Sequence, residues 1–314
     1  MGDKKGIKII GTGSARGSRV VENSEIAEAA ATTDEWIRER TGIMRRNYCS
    51  PDETCTDLAV RAAKQALESS GIEPSQIGLC INATMTPQFA TPSTACLIQS
   101  ALGLREDIAS FDLNAACSGF LYALDAARAQ MYMNDIEYAL VTGSEKFSEI
   151  LDMNDYGTAI IFGDGAGAVV IRRADSDYYS LQGSRGSDVI WANGPGSQPT
   201  ILHMQGRPVF KFATGIIEKS IRQLLEKAGM DLADVDHFVL HQANERIIDF
   251  VVRRMKLDPA KVHKNISWTG NTSAASVPLL IDDLARAGSF IPGQKILSVG
   301  FGGGLTWAGA LFEW

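Results

Sequence analysis

The sequence has no CxxC pair, and its cysteines, Cys49, Cys55, Cys80, Cys96 and Cys117, are odd in number. That pattern argues against a disulfide framework and against a cysteine-built zinc site. Histidine is scarce, with only His203, His237, His241 and His263. His237 and His241 bracket "HFVLH", which reads as a strand, where such residues share a face without forming a zincin helix. No metal site is expected. Long apolar runs are missing too. "AIIFGDGAGAVVI" is too short and too glycine-rich to span a bilayer. The opening "MGDKKGIKII" lacks the apolar core of a signal peptide, so the expectation is a cytoplasmic protein outside the membrane. Positive charge is not in excess. The net charge is −7, which gives no bulk attraction to nucleic acid or to an anionic bilayer.

What remains is an ordinary globular composition. The 314 residues are 45% hydrophobic and 21% charged, enough for a large core in one or two domains. Segments of the chain also resemble one another. "AVRAAKQALESSGIEPSQIGLCINAT" (59–84) parallels "GIIEKSIRQLLEKAGMDLADVDHFVLHQAN" (215–244). Each is an amphipathic helix closed by glycine, then a short acidic loop, then a β-rich strand. "AACSGFLYAL" (115–124) parallels "NTSAASVPLL" (271–280), and "IIFGDGAGAVVI" (160–171) parallels "SVGFGGGLTWAGALF" (298–312). Each half reads strand–helix–strand–helix–strand. The pattern predicts an α/β fold of two pseudo-duplicated halves, 1–172 and 173–314, with buried and largely parallel strands. The stretch 183–200 reads as a surface excursion.

Two glycine-rich segments suggest nucleotide binding and fail on detail. "IKIIGTGSARG" lacks the full GxGxxG pattern and is not followed by a clear helix, so it reads as a strand entering a turn. "FGDGAG" has no Lys-Ser/Thr of a P-loop and reads as a structural turn.

Three residues occupy unusual settings. Cys117 opens a helix among small neighbours in "DLNAACSGF". Free N–H groups and the helix dipole there favour a thiolate, whereas burial as a small apolar side chain is the competing reading. His241 follows an apolar strand, a usual place for ligand chemistry, although a hydrogen-bonded core histidine fits as well. Asn271 precedes "TSAAS" at a helix start, where capping alone would explain it.

Together, "DLNAACSGF", "HQANERII", "GNTSAASVP" and "GFGGGLTW" resemble the beta-ketoacyl-ACP synthase III enzymes of the thiolase superfamily. "IIGTGSARGSRVVEN", "TTDEWIRERTGI", "TPSTACLIQ", "GSEKFS" and "IIFGDGAGAVV" extend the likeness nearly end to end. The resemblance implies a thiolase-like, layered αβαβα body and a homodimer. It implies decarboxylative condensation of an acyl-CoA primer with malonyl-ACP through an acyl-Cys intermediate, which initiates fatty acid synthesis. CoA and ACP thioesters are then substrates, and no cofactor is needed.

By the same resemblance Cys117 is the nucleophile. Its N–H and that of Gly303 form the oxyanion hole, with glycine allowing the close backbone approach. His241 and Asn271 stabilise the enolate as neutral donors. Thr32, Trp36, Arg40, Tyr156, Gly206 and Asn244 match the CoA-binding surface. Tyr156 replaces an arginine common in the family, which removes a cationic contribution to adenine stacking. Lys211, Arg246, Arg253 and Arg254 match the ACP-binding patch. Phe89 and Thr91 match a loop that closes the partner subunit's primer pocket, and Thr91 in place of a family phenylalanine predicts a deeper floor. Rival readings are a starter synthase or acyltransferase of the same fold, and a silent acyl-CoA-binding protein. A thiolase would need a second cysteine near "GFGGG", and none is there.

Overall fold

The computed structural model describes residues 4–194 and 201–314. The chain opens on β1 (Gly6–Arg16). A two-stranded ribbon of β2 (Arg19–Glu22) and β3 (Arg45–Tyr48) follows and encloses α1 (Asn23–Ala29) and α2 (Asp34–Thr41). Then come α3 (Cys55–Ser70), β4 (Ile77–Ala83), α4 (Thr94–Ala101), β5 (Ala109–Leu113), α5 (Gly119–Met133), β6 (Tyr138–Glu145) and β7 (Gly165–Ala174). Beyond β7 run β8 (Tyr178–Ser187), the hairpin β9 (Ile190–Ala192) and β10 (Leu202–Met204), and α6 (Gly206–Ala228). The chain finishes with β11 (His237–Leu240), α7 (Glu245–Met255), α8 (Ile266–Thr269), α9 (Ser276–Arg286), β12 (Lys295–Gly302) and β13 (Gly304–Glu313).

Both large sheets use one strand order. The first runs β1-β7-β6-β4-β5 and the second β8-β13-β12-β11. Val262 completes the second by a parallel bridge to Phe238 on β11, at the place β5 takes in the first. The strands are mixed in direction and not largely parallel. β4 pairs in parallel with β5 and β6, and β11 with β12, but β1–β7, β6–β7, β12–β13 and β8–β13 are antiparallel. The last two strands of each set follow one another without a crossover helix, and that connection permits antiparallel pairing. β7 ends at Ala174 and β8 begins at Tyr178, so the chain passes between the sheets just beyond residue 174.

The layers follow from period-two alternation with both faces buried. Leu79, Ile81, Val169 and Ile171 join α5 and α9 in one core, while Cys80, Ala168 and Val170 turn to α3. Ile296, Ala308 and Phe312 face that same central core, and Leu297, Val299 and Leu311 meet α6 and α7. Helices α5 and α9 thus lie between the sheets, and the body is an αβαβα stack. Local signals set the helix ends. Thr54 and Asp57 make a capping box at the start of α3. Gly71 and Gly229, at φ 68° and 64°, close α3 and α6 in the left-handed conformation.

Gly11 and Gly13 do not sit in a turn. They lie inside β1, against α3, and a methyl group on Gly13 would overlap the carbonyl oxygen of Ala62. The described part of the expected surface excursion, residues 183–194, contains strand. Gly183–Ser187 belong to β8, and Ile190–Ala192 form β9; residues 195–200 lie outside the described residues. Gly13→Ala should lower stability by about 1–3 kcal/mol through overpacking of β1 on α3. Urea unfolding should show a lower midpoint with an unchanged slope.

Candidate active site

The two sheets direct their polar loops at one cavity of about 530 Å³. Cys117, His241, Asn271, Gly206, Asn244 and Gly303 all line it.

Cys117 lies in the 3-10 turn Ala116–Ser118 that leads into α5. The equivalent turn before α9 is Ser273–Ala275. Ala116 and Ser273 share a left-handed backbone, φ 47° and 51°, unusual for residues with a Cβ. The two turns pack on each other. The Cys117 turn is also tied to the β12–β13 turn. Thr306 Oγ1 donates to the carbonyls of Ala115 and Gly303, at 2.8 and 3.0 Å. Cys117 is half-buried, with the cavity as its opening. Burial pushes its thiol up to about 12, against the lowering effects of Ser273 and of its own backbone N–H. Desolvation, the largest cause, and the nearby Glu145 carboxylate thus oppose the lowering expected of a helix start.

His241 follows β11 and is held by its N–H to the carbonyl of Val299, at 2.9 Å. Its ring is buried, meets the ring of Phe301 edge-on at 5.2 Å, and has Nδ1 2.6 Å from Ser276 Oγ. Burial lowers its pKa to about 3, so the imidazole is neutral at physiological pH. Asn271 is pinned by backbone hydrogen bonds to Ile161 and Gly163, at 2.9 and 3.0 Å. Its Oδ1 accepts the N–H of Ser273 at 2.8 Å. The capping role and a cavity-facing amide are therefore one geometry: Oδ1 caps the turn, and Nδ2 is left for the cavity.

The glycine demanded by close approach is Gly302. A Cβ there would stand 2.6 Å from the amide nitrogen of Cys117, whereas one on Gly303 would meet only Ile190, at 3.5 Å. At Gly206 a Cβ would meet nothing within 4 Å, so packing does not require glycine there.

Farther out, Trp36, Arg40 and Tyr156 gather in one cluster. Trp36 and Tyr156 meet edge to face, 5.8 Å between centroids at 84°, and the Arg40 guanidinium lies 5.6 Å from the indole centroid. Asn244 links this cluster to the cavity. It caps α7 and donates from Nδ2 to the carbonyl of Arg40 at 3.0 Å. Thr32 precedes the Thr33 cap of α2 and is half-buried. Lys211 on α6 and Arg246 and Arg253 on α7 are exposed and have no ion pair among the described residues. Arg254 is engaged by Glu218, at 2.7 Å.

Phe89 and Thr91 are exposed and do not line the cavity of their own chain. The apolar end of that cavity is built by Phe147 stacked on Phe162, 4.5 Å between centroids, with Ile150, Leu202 and Met85. These residues, with Ser273, Ser276 and Glu145, were not singled out from sequence. The short apolar run "VIWA" is the signal that would have found the cavity wall at β9.

Among the described residues no cluster of His, Cys, Asp and Glu is suited to a metal ion, and no helix is long and apolar enough to cross a membrane. The seat of Gly302 gives a test. Gly302→Ala should slow alkylation of Cys117 by iodoacetamide about tenfold or more, because the added methyl displaces the Cys117 turn. Gly303→Ala should stay close to wild type. Equal effects would contradict the assignment of the close contact to Gly302.

The 3-oxoacyl-(acyl-carrier-protein) synthase III profile matches residues 111–188, and the profile for the C-terminal part of that family matches residues 225–314. The beta-ketoacyl-(acyl-carrier-protein) synthase III of Clostridium perfringens strain SM101 is 42% identical over 321 residues, covering 98% of both chains. Its counterpart in Clostridium acetobutylicum is 41% identical over 322 residues, with the same coverage. Among solved structures, the 3-oxoacyl-(acyl-carrier-protein) synthase III of Aquifex aeolicus VF5 superposes with a TM-score of 0.93 at 40% identity, covering 98% of this chain and 100% of that one. The priming beta-ketosynthase of the R1128 polyketide pathway superposes with a TM-score of 0.92 at 35% identity, covering 99% and 97%. By sequence and by fold, this chain belongs to the 3-oxoacyl-(acyl-carrier-protein) synthase III family of thiolase-fold condensing enzymes.

Proposed function

We propose that this protein condenses an acyl-CoA primer with malonyl-ACP, with loss of carbon dioxide, and so initiates fatty acid synthesis. The observation that carries the reading is the meeting of Cys117, His241 and Asn271 on one cavity, with His241 held neutral. Cys117 attacks the primer thioester, and the Cys117 and Gly303 N–H groups receive the developing oxyanion. CoA leaves, and malonyl-ACP takes its place. In the tautomer in which Ser276 donates to Nδ1 of His241, Nε2–H is free for the malonyl carbonyl, and the Asn271 amide is the second donor. Decarboxylation generates the carbanion, so stabilisation of the enolate replaces a strong base. The acyl thioester on Cys117 stays reactive enough for that carbanion to attack.

The binding assignments extend outward from this centre. Gly206 and Asn244 line the route for the pantetheine arm, and the Trp36, Arg40 and Tyr156 cluster with Thr32 receives the CoA nucleotide. Trp36 and Tyr156 stand edge to face, so a purine would stack on one exposed face of the cluster and not between parallel rings. Lys211, Arg246 and Arg253, with the paired Arg254, offer a basic surface to an acidic carrier protein. Strand β5 lies at an end of the first sheet with a part-exposed edge, which suits pairing with a second copy in a homodimer. In that dimer Phe89 and Thr91 would reach the partner's primer pocket, while Phe147 and Phe162 close the apolar end from within the chain. A cytoplasmic location fits a soluble carrier protein as partner. The two halves, 1–172 and 173–314, divide the labour, the nucleophile in the first and the enolate donors in the second.

The likeness to a polyketide priming synthase favours one other reading, the same condensation serving a different primer. Primer and extender panels separate the two by product mass.

Three variants test the division of roles. Cys117→Ala should take no acyl group from acyl-CoA. His241→Ala and Asn271→Ala should still take it, and should decarboxylate malonyl-ACP about a hundredfold to a thousandfold more slowly. Intact-protein mass and carbon dioxide release are the readouts. A folded Asn271→Ala variant that no longer acylates would contradict the division.

A charge reversal tests the carrier surface. Arg246→Glu should raise the KM for malonyl-ACP about tenfold and leave acyl-CoA loading near wild type. The effect should shrink as salt rises. Equal losses for both substrates would remove the carrier assignment.

A further inference from the structure

Asn271 serves as a donor only while its amide faces the right way. The N–H of Ser273 meets Oδ1 at 2.8 Å. An N–H selects the oxygen end of an amide, so Nδ2 is turned toward the cavity that Asn271 lines. The orientation of the donor therefore depends on where the Ser273 N–H stands. Ser273 holds a left-handed backbone, φ 51°, a conformation that a residue with a Cβ keeps only where its surroundings enforce it. The same turn recurs at Ala116, φ 47°, whose N–H meets Asn114 Oδ1 at 3.1 Å. There the anchor comes from outside the turn: Thr306 Oγ1 donates to the carbonyl of Ala115 at 2.8 Å. Ser273 has an anchor of another kind, its own hydroxyl, which donates to Glu145 Oε1 at 3.1 Å.

Glu145 ends β6, is wholly buried, has no ion pair among the described residues and does not line the cavity. Such a carboxyl group is costly to keep in a core unless its lone pairs are met. Its Oε2 accepts from Thr86 Oγ1 at 2.6 Å, from the N–H groups of Met85 and Thr86 at 3.2 Å, and from Thr84 Oγ1 at 3.3 Å. Thr86 Oγ1 in turn accepts the N–H of Lys146 at 2.8 Å, which ties that loop to the end of β6. One oxygen is thus fixed by residues 84–86, and the other holds Ser273. The first sheet also touches the turn directly. A Cβ on Gly143 of β6 would stand 2.5 Å from the carbonyl oxygen of Ala274.

We propose that Glu145 is a positioning residue for Asn271, anchoring the Ser273 hydroxyl and through it the N–H that orients the Asn271 amide. The inference rests on Asn271 being a donor to the enolate. Glu145 touches no reacting atom in this role, and it gains and loses no proton. It supplies a fixed acceptor on the first sheet for the turn that leads into α9. Without that acceptor the left-handed turn at Ser273 relaxes and its N–H moves off Oδ1. The amide is then free to rotate its donor away from the malonyl thioester. Acyl transfer to Cys117 draws on the N–H groups of Cys117 and Gly303 and does not need the Asn271 amide.

Two substitutions separate this anchor from packing in general. Ser273→Ala removes the hydroxyl and leaves the bonds between Glu145 and residues 84–86 in place. Glu145→Gln keeps the shape of the side chain. Its carbonyl oxygen stays with the N–H groups of Met85 and Thr86, and its NH2 group turns to Ser273 Oγ, which accepts. A hydrogen bond of reversed polarity then holds the same turn.

The test follows the two half-reactions separately: Cys117 acylation by acyl-CoA, read by rapid quench and intact-protein mass, and malonyl-ACP decarboxylation, read by carbon dioxide release. Ser273→Ala should slow decarboxylation about tenfold, in kcat and not in KM, with acylation within about twofold of wild type. Glu145→Ala should lose the same factor, and the two changes together no more than either alone. Glu145→Gln should keep most of the decarboxylation rate. Adding Ser273→Ala to Asn271→Ala should cost nothing further, because the anchor acts through the amide. A folded Ser273→Ala with the wild-type decarboxylation rate, an equal loss in both half-reactions, or losses that multiply when Ser273→Ala is added to Asn271→Ala would overturn the anchor while leaving Asn271 as donor. A folded Asn271→Ala that decarboxylates at the wild-type rate would overturn the donor reading as well.

Discussion

Gly302 rests directly against the backbone of Cys117, with no room for a single added methyl group. The active arrangement depends on that contact. It sets the β12–β13 turn of the second sheet against the helix start that follows β5 of the first. The hydroxyl of Thr306 fastens the two segments by bonding to the carbonyls of Ala115 and Gly303. Central helices α5 and α9 enter the stack side by side from matching left-handed turns at Ala116 and Ser273. Cys117, His241 and Asn271, far apart in the chain, therefore reach one small volume without any long loop having to be ordered.

The same burial that fixes these groups sets their protonation. Burial disfavours a charge on the imidazole of His241 and holds it neutral. The Cys117 thiol is likewise discouraged from ionising, so activation has to arrive with the reaction rather than exist beforehand. A thiol kept protonated between turnovers is also less exposed to oxidation than a standing thiolate.

Much of this was legible in the residues. The helical stretches 59–70 and 215–228 announce themselves by periodicity and by closing glycines at 71 and 229, while their starts at Cys55 and Gly206 needed the structure. Cys117, His241 and Asn271 stand out by their settings, and all three line the cavity. Other features needed the fold. Gly11 and Gly13 look like a turn because a helix packed across a strand leaves no mark in the strand's own sequence. The desolvation of the Cys117 thiol was not legible because a helix start is local whereas burial comes from every surrounding layer. Glu145 and Ser273 are far apart in the chain, and nothing in their spacing reveals a hydrogen bond of 3.1 Å. The hairpin of β9 and β10 was hidden by the turn-forming residues around it.

The central claim is carbon–carbon bond formation at Cys117, and product mass tests it most directly. Purified protein, one acyl-CoA and malonyl-ACP should give a carrier-bound 3-oxoacyl chain two carbons longer than the primer, with one carbon dioxide released for each product. Acyl transfer to an oxygen or nitrogen acceptor without carbon dioxide release, or release of free acid alone, would contradict it.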